Sequence, residues 1–167
     1  MKNAKLGRLV VLLSTAWFVI FLDQLTKFLV IENLKPAQPV PFIGDLVKLV
    51  LVYNDSAAFS IGFGATWIFA IVSSLATLVL LWLAPKLETR AWSLVGGIAL
   101  GGVVGNLIDR LMRPPGFGQG QVVDFISIPF NFPIFNVADI AIVAVAAIVI
   151  IAVFQGRPLG KAKKTIA

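Results

Sequence analysis

The sequence predicts an all-α integral membrane protein: four transmembrane helices carrying a small β segment on one face. Three observations lead there. Of 167 residues, 59% are hydrophobic and the mean hydropathy is +0.96, against about 45–50% apolar residues in soluble domains. Charged residues make up 13%, about half the soluble norm of about 25%. The apolar residues also fall into long runs separated by short polar links, the pattern of a chain that crosses a bilayer repeatedly. There is no internal repeat and no second domain, so residues 1–167 read as a single membrane domain.

The first basic residues, Lys2, Lys5 and Arg8, precede an apolar run at approximately 9–31. At about 1.5 Å per residue this run spans a hydrocarbon core of about 30 Å. It is too long for a cleaved signal peptide, and no small-residue cleavage pattern follows it. Asp23 and Lys27 interrupt its outer third at i, i+4 spacing, the favourable order for a helical ion pair. Pro36, Pro39 and Pro41 then stop helix formation. The β-branched DLVKLVLVY stretch predicts a small sheet at the membrane surface, within approximately 39–60. Asn54–Ser60, NDSAAFS, reads as a turn followed by small residues, and Phe63 and Trp67 as interfacial anchors.

A second apolar run covers approximately 67–84 and stops at Pro85. The third, approximately 92–112, carries Gly97, Gly101 and Gly105 at four-residue spacing, the pattern that lets helices approach closely. Asn106, Asp109 and Arg110 share a face at its end. A Pro/Gly-rich loop and the β-branched pair Val122-Val123 follow, ending at Asp124. The fourth helix is expected over approximately 133–154 with Pro133 in its first turn, placing Asp139 one or two turns in and on the same face as Asn136. A tail with Arg157, Lys161, Lys163 and Lys164 closes the chain.

Four spans put both termini on one side. With that side cytoplasmic, the N-terminal bases, the Lys86–Arg90 link and the tail all lie inside, as the positive-inside rule favours. Of the eight acidic residues only Glu88 then falls inside, so the groups capable of chemistry gather at the outer face. The high pI comes from bases that flank apolar spans and form no stripe of their own, so no nucleic-acid partner is expected. The tail lysines suit acidic headgroups of membrane lipid.

Histidine and cysteine are absent. That excludes Ser-His-Asp and Cys-His nucleophile systems, His-based zinc sites, haem ligation by either residue, and disulfides. A carboxylate pair, a Ser-Lys pair or a carboxylate-held metal remain. Asp124 and Asp139 are the leading pair: two carboxylates that meet share one proton near neutral pH, so one takes a proton from water while the other gives one. The plainer reading of the same residues is one aspartate capping a helix and the other binding a surface cation. Asp23 with Lys27 reads as a buried structural pair or as the wall of a polar site. Lys27 with Ser56 or Ser60 is a Ser-Lys alternative. Asn54, Asn106 and Asn136 either orient amides near the outer face or cap turns and helices.

DQLTK at Asp23–Lys27, NDSAAFS at Asn54–Ser60, GGVVGNLIDR at Gly101–Arg110, VVDF at Val122–Phe125 and FNVADI at Phe135–Ile140 together resemble the lipoprotein signal peptidase family, signal peptidase II. They occur in the family's order and run through nearly the whole chain. The resemblance implies a four-span membrane aspartic peptidase with a β cradle and a short surface helix on its outer face, in the bacterial cytoplasmic (inner) membrane. It implies that Asp124 and Asp139 are the catalytic dyad. Asp23, Lys27, Asn54, Gly105, Asn106, Asp109, Arg110, Asn136 and Ala138 would form the supporting site. The implied substrate is a lipid-modified prolipoprotein, cut before its diacylglyceryl-cysteine. No metal and no cofactor are expected, and the protein is expected to be a monomer. The family usually has glycine where this chain has Ser56, which bears on the cradle's shape and not on the dyad. The alternative from another class is a small transporter or ion-conducting bundle in which Asp23, Lys27 and Asp139 form a polar path.

Overall fold

A computed structural model of the protein describes residues 2–55 and 66–157. Its frame is four helices: α1 (Lys2–Asn33), α2 (Thr66–Leu83), α3 (Arg90–Met112) and α4 (Val137–Phe154). All four are long and apolar enough to cross a membrane. A single 3-10 turn, Ala84–Lys86, ends α2 around Pro85.

Helix α3 is the hub, packed against each of the other three, while α2 packs chiefly on α3. Of its apolar stretch 39% is buried, against 11–17% in the other helices, so it faces protein where they face lipid. The glycine spacing explains how. A Cβ on Gly97 would lie 2.5 Å from the Leu12 carbonyl, and one on Gly101 would lie 2.6 Å from Val19 Cβ and 2.8 Å from the Ala16 carbonyl. On the adjoining face, a Cβ on Gly102 would meet the Ala138 carbonyl of α4 at 2.7 Å. The absent side chains let α1 and α4 approach α3 backbone to backbone. Leu12, Ala16, Ala84 and Leu100 fill one end of this packing.

At the other end lies a three-stranded antiparallel sheet in the order β1 (Val40–Ile43), β2 (Val47–Asn54), β3 (Val122–Ser127). β3 comes from the far side of the third span, a pairing the Val122-Val123 run alone does not reveal. The sheet is pinned by a small core of Val30, Leu51, Val123 and Phe125, which joins it to the end of α1. Residues 56–60 of the expected β segment lie outside the described residues, and the expected short surface helix is not among those described.

The helices differ from their hydropathy limits in ways that matter at α4. α1 extends through the basic residues at its start, and Thr89 caps α3 by accepting from the Trp92 N–H. The fourth helix begins at Val137 and not at Pro133. Phe135 is held as an extended residue: its carbonyl accepts from the Phe125 and Ile126 N–H groups, and its own N–H donates to the Ile126 carbonyl. Asn136 then adopts the extended backbone of an N-cap. Asp139 is therefore in the first turn, at the third helical position, and not one or two turns in.

Gly101→Val should lower the melting temperature in detergent sharply, because the new side chain meets backbone that cannot yield, a cost of about 1–3 kcal/mol or more. Gly7→Ala, with nothing within 4 Å of its new Cβ, should be neutral or slightly stabilising. Equal effects at the two sites would discard the close-approach account.

Candidate active site

The polar groups of the spans converge at the sheet end of the bundle, around one buried lysine. Lys27 Nζ reaches Asp23 Oδ2 at 2.8 Å, Asp109 Oδ2 at 2.7 Å and Asn106 Oδ1 at 3.0 Å. Lys27, Asp23 and Asp109 are all 0% exposed. An ammonium has three N–H donors, and all three are engaged. Ser56 and Ser60 of the Ser-Lys alternative lie outside the described residues.

Asp109 does the most joining. It also accepts from Arg113 Nε at 2.7 Å, from Gln24 Nε2 at 3.2 Å and from the Val123 N–H at 3.2 Å. It thereby ties α3 to α1 and to β3. The Gln24 amide further donates to Asp23 Oδ2 and to the Gly105 carbonyl, each at 3.1 Å. Gly105 has no room for a side chain: a Cβ there would sit 2.7 Å from Asp23 Oδ2 and 3.3 Å from Ala138 Cβ.

The start of α4 plugs into this cluster. Asp23 Oδ1 accepts from the Ala138 N–H at 3.0 Å, and Asn136 Oδ1 accepts from the Asp139 N–H at 3.0 Å. Two of the helix's orphan donors are thus met, one by its own cap and one by α1. Asp139 Oδ2 returns to the Asn136 N–H at 3.1 Å, completing a capping box.

Asn136 also holds the second carboxylate. Its Nδ2 donates to Asp124 Oδ1 at 2.6 Å and to Asn106 Oδ1 at 3.1 Å. Asp124 Oδ2 accepts from Asn54 Nδ2 at 2.7 Å. The sheet register makes that contact: Val52 pairs with Asp124 and Asn54 with Val122, so Asn54 and Asp124 are diagonal neighbours on one face. Asn106 Nδ2 donates to Asp139 Oδ1 at 2.8 Å. Both carboxylates therefore border Asn136, Asp124 through its side-chain amide and Asp139 through its backbone N–H. Both line a cavity of about 730 Å³ together with Asn54, Asn106 and Arg110. The remaining walls are apolar, including Ile128, Phe132, Phe135, Ile140 and Val143.

Asp124, only 3% exposed, is pushed up from 3.8 to about 6. Burial away from water is the main cause, opposed by the Asn54 hydrogen bond, reinforced by the Asp139 charge, and opposed again by the Asn136 hydrogen bond and the Lys27 charge. It can exchange a proton close to neutral pH.

The residues expected at the site all lie here. Several carry both readings at once: Asn136 caps a helix and grips a carboxylate, and Asp23 is a buried ion-pair member that also caps α4. Arg110 lines the cavity with the two aspartates, 5.4 Å from the Phe69 ring of α2, while Asp109 makes the tie to β3. Gln24 and Arg113 escaped the sequence reading. Arg113 follows Asp109 by four residues, a favourable ion-pair spacing that was available in the sequence. Gln24 gave only the signal of an amide inside an apolar run.

This arrangement has counterparts. Residues 15–155 match the family described as Signal peptidase (SPase) II. The chain belongs to the signal peptidase II family. A lipoprotein signal peptidase of Leifsonia xyli subsp. xyli is 48% identical over 141 residues, covering 84% of this chain and 65% of that protein. One from Mycolicibacterium smegmatis is 44% identical over 143 residues, covering 86% of this chain and 60% of that protein. The chain thus spans 60–65% of the length of these relatives, less than two thirds. Two solved structures described as bacterial membrane enzymes share the fold, with TM-scores of 0.79 and 0.75 at 26% and 27% identity. They cover 93% and 86% of this chain, and 94% and 92% of their own. As a signal peptidase II family member with four apolar spans, the protein is a multi-pass membrane protein.

Two outcomes follow from the site's electrostatics. Asp109→Ala should cost about 3–5 kcal/mol, because it leaves the buried Lys27 with Asp23 as its one carboxylate partner and removes the partner of Arg113; thermal melting in detergent reads this. Asp124, with its folded value raised from 3.8 to about 6, holds a proton across that window which the unfolded chain has released. Its stabilising contribution is therefore complete below pH 3.8 and lost as pH rises through about 6. Melting curves against pH should show that loss, and Asp124→Asn should flatten it.

Proposed function

We propose that the protein is a membrane aspartic endopeptidase that removes signal peptides from diacylglyceryl-modified prolipoproteins, cutting before the lipidated cysteine. The observation that carries this reading is that the Asp124 and Asp139 carboxylates both bond to Asn136, one to its side chain and one to its backbone N–H, at the polar end of an otherwise apolar cavity. Membership of the signal peptidase II family supports it, as does the description of the relatives above as lipoprotein signal peptidases.

The chemistry needs a carboxylate to take a proton from water and a carboxylic acid to protonate the scissile carbonyl and, later, the leaving amine. The dyad carries one shared proton between two such groups, with no nucleophile of its own to activate. Ile140 and Val143 extend the cavity wall along α4 from the dyad into the span, so an acyl chain can lie against the helix while the peptide meets the carboxylates. Arg110 adds a fixed positive charge to the same cavity, suited to charge developing on the carbonyl oxygen.

The protein sits in the bacterial cytoplasmic (inner) membrane with its termini cytoplasmic and its site at the outer face. Arg8 Nε donates to the Leu87 carbonyl at 3.0 Å, which brings the basic start of α1 and the Lys86–Arg90 link to one end, opposite the aspartates. That asymmetry follows the positive-inside rule. A transport path would need polar groups through the membrane depth; among the described residues the far end of the packing is Leu12, Ala16, Ala84 and Leu100.

Purified wild type, Asp124→Asn and Asp139→Asn should be compared on a diacylglyceryl-modified prolipoprotein by gel shift. Each variant should stay folded and lose cleavage by at least about a hundredfold, the scale of a lost general acid or base; full cleavage by both would sink the dyad. The pH profile of kcat/KM should be bell-shaped. Its alkaline limb should lie near pH 6, set by loss of the Asp124 proton, and should move upward in kcat when lipid fills the cavity and removes water. Activity should be indifferent to chelators, and inhibition by a chelator would overturn that expectation.

A further inference from the structure

The bundle has a second cavity, at the end opposite the aspartates. It measures about 420 Å³ and lies between the start of α3, at Ala91 and Trp92, and the last turns of α4, at Ile148, Ile151 and Ala152. The helix period brings these α4 residues onto one face. The helices come into backbone contact at Gly102, where a Cβ would meet the Ala138 carbonyl at 2.7 Å. Trp92 stands ten residues before Gly102, about 15 Å along α3. There the small residues Ala91 and Ala152 leave the space between the helices unfilled. Ile148 and Ile151 are 41% and 54% exposed, so the cavity opens sideways, toward the acyl chains around a membrane-spanning bundle.

The end of α4 turns a cation back to this opening. Gly156 has φ +62°, the left-handed conformation that closes many helices. The Arg157 N–H donates to the Ala152 carbonyl at 2.9 Å, and the Gly156 N–H to the Val153 carbonyl at 3.0 Å. The chain thus folds back over its last turn, and Arg157 lines the same cavity as Ala152 and Trp92 instead of leading away from it. A guanidinium presents a fork of donors that matches phosphate. Trp92 and Gln155, which also line the cavity, carry N–H donors of their own. Lys86 and Arg90 stand in the link just before Trp92, where Glu88 is the only acid. The carbonyl end of α4 disfavours an anion, so anion binding here depends on Arg157.

We propose that this cavity is a binding site for an anionic phospholipid, whose phosphate pairs with Arg157 and whose acyl chain lies between Trp92 and the Ile148–Ile151 face of α4. Basic openings between membrane helices suit such headgroups. A zwitterionic lipid brings a cation of its own to a basic surface, and a soluble anion leaves the apolar walls uncovered. The site shares no lining residue with the cavity that holds the two aspartates, and it stands independently of the peptidase reading. On the orientation proposed above it faces the cytoplasmic leaflet.

Trp92 can report on the site directly. The chain has four tryptophans, and Trp17, Trp67 and Trp82 are 66%, 53% and 64% exposed, so Phe at all three should keep the fold and leave Trp92 alone. That protein, in a neutral detergent, should be titrated with phosphatidylglycerol and with phosphatidylcholine, each carrying bromines on its acyl chains to quench an indole in contact. Phosphatidylglycerol should quench Trp92 at a concentration about fivefold lower than phosphatidylcholine, the scale of one cation at an acidic headgroup. Arg157→Gln, at an exposed position, should abolish that preference. Ala91→Phe, also exposed, should fill the groove and weaken quenching by both lipids. Equal quenching by the two lipids, or a preference that survives Arg157→Gln, would overturn the proposal. Millimolar glycerol phosphate should leave quenching by phosphatidylglycerol in place; full competition would show a site for a soluble anion and overturn the lipid assignment. Should the triple replacement not fold, the difference between wild type and Trp92→Phe gives the same reading.

Discussion

A lysine and two aspartates with no exposure to solvent, inside a membrane bundle, are the constraint from which the rest of this structure follows. Each charge is tolerable only with its partners in place, because several kcal/mol per ion are lost on leaving water. Lys27 satisfies that condition by meeting Asp23, Asp109 and Asn106 at once. These acceptors come from α1 and α3, so the ion cluster can exist only when those helices are close and in register. The glycines of α3 permit the closeness, and Gly105 in particular leaves the space that Asp23 occupies.

From that cluster the order spreads outward in layers. Asp23 receives the first turn of α4, and Asp109 receives β3 through the Val123 N–H. The two elements bearing Asp139 and Asp124 are therefore each fastened to a member of the ion cluster. The asparagines stand between, converting a charged, tightly paired interior into a set of neutral donors aimed at a cavity. Membrane-spanning helices offer few such donors of their own, since their backbone groups are used within the helix. The site is built where that rule relaxes: at helix ends and along a strand.

Most of this was legible in the sequence, and the residues explain why. Hydropathy located the four spans because bilayer crossing demands length and apolarity together. The i, i+4 placement of Asp23 and Lys27 announced an ion pair, and the Gly97, Gly101, Gly105 series announced close packing. The start of α4 was misplaced because Pro133 suits a first turn, and only the pairing of Phe135 with Ile126, a contact set by the sheet, keeps the chain extended to Asn136. The third strand was hidden for a similar reason: Val122–Ser127 is short, and its partner β2 lies two spans away in the chain. Gln24 was invisible in its role because its amide meets acceptors on Asp23, Gly105 and Asp109, and no spacing rule links it to the latter two, 81 and 85 positions away.

Asn136 has two jobs, capping α4 and gripping Asp124, and they cannot be separated in time. The cap exists only once α4 has formed its first turn, and the grip exists only once that turn has docked beneath β3. A newly inserted chain whose last span has not yet settled therefore has no assembled pair of carboxylates. On the proposed reading, hydrolysis therefore requires the last span to be docked, and an incompletely assembled chain is inactive.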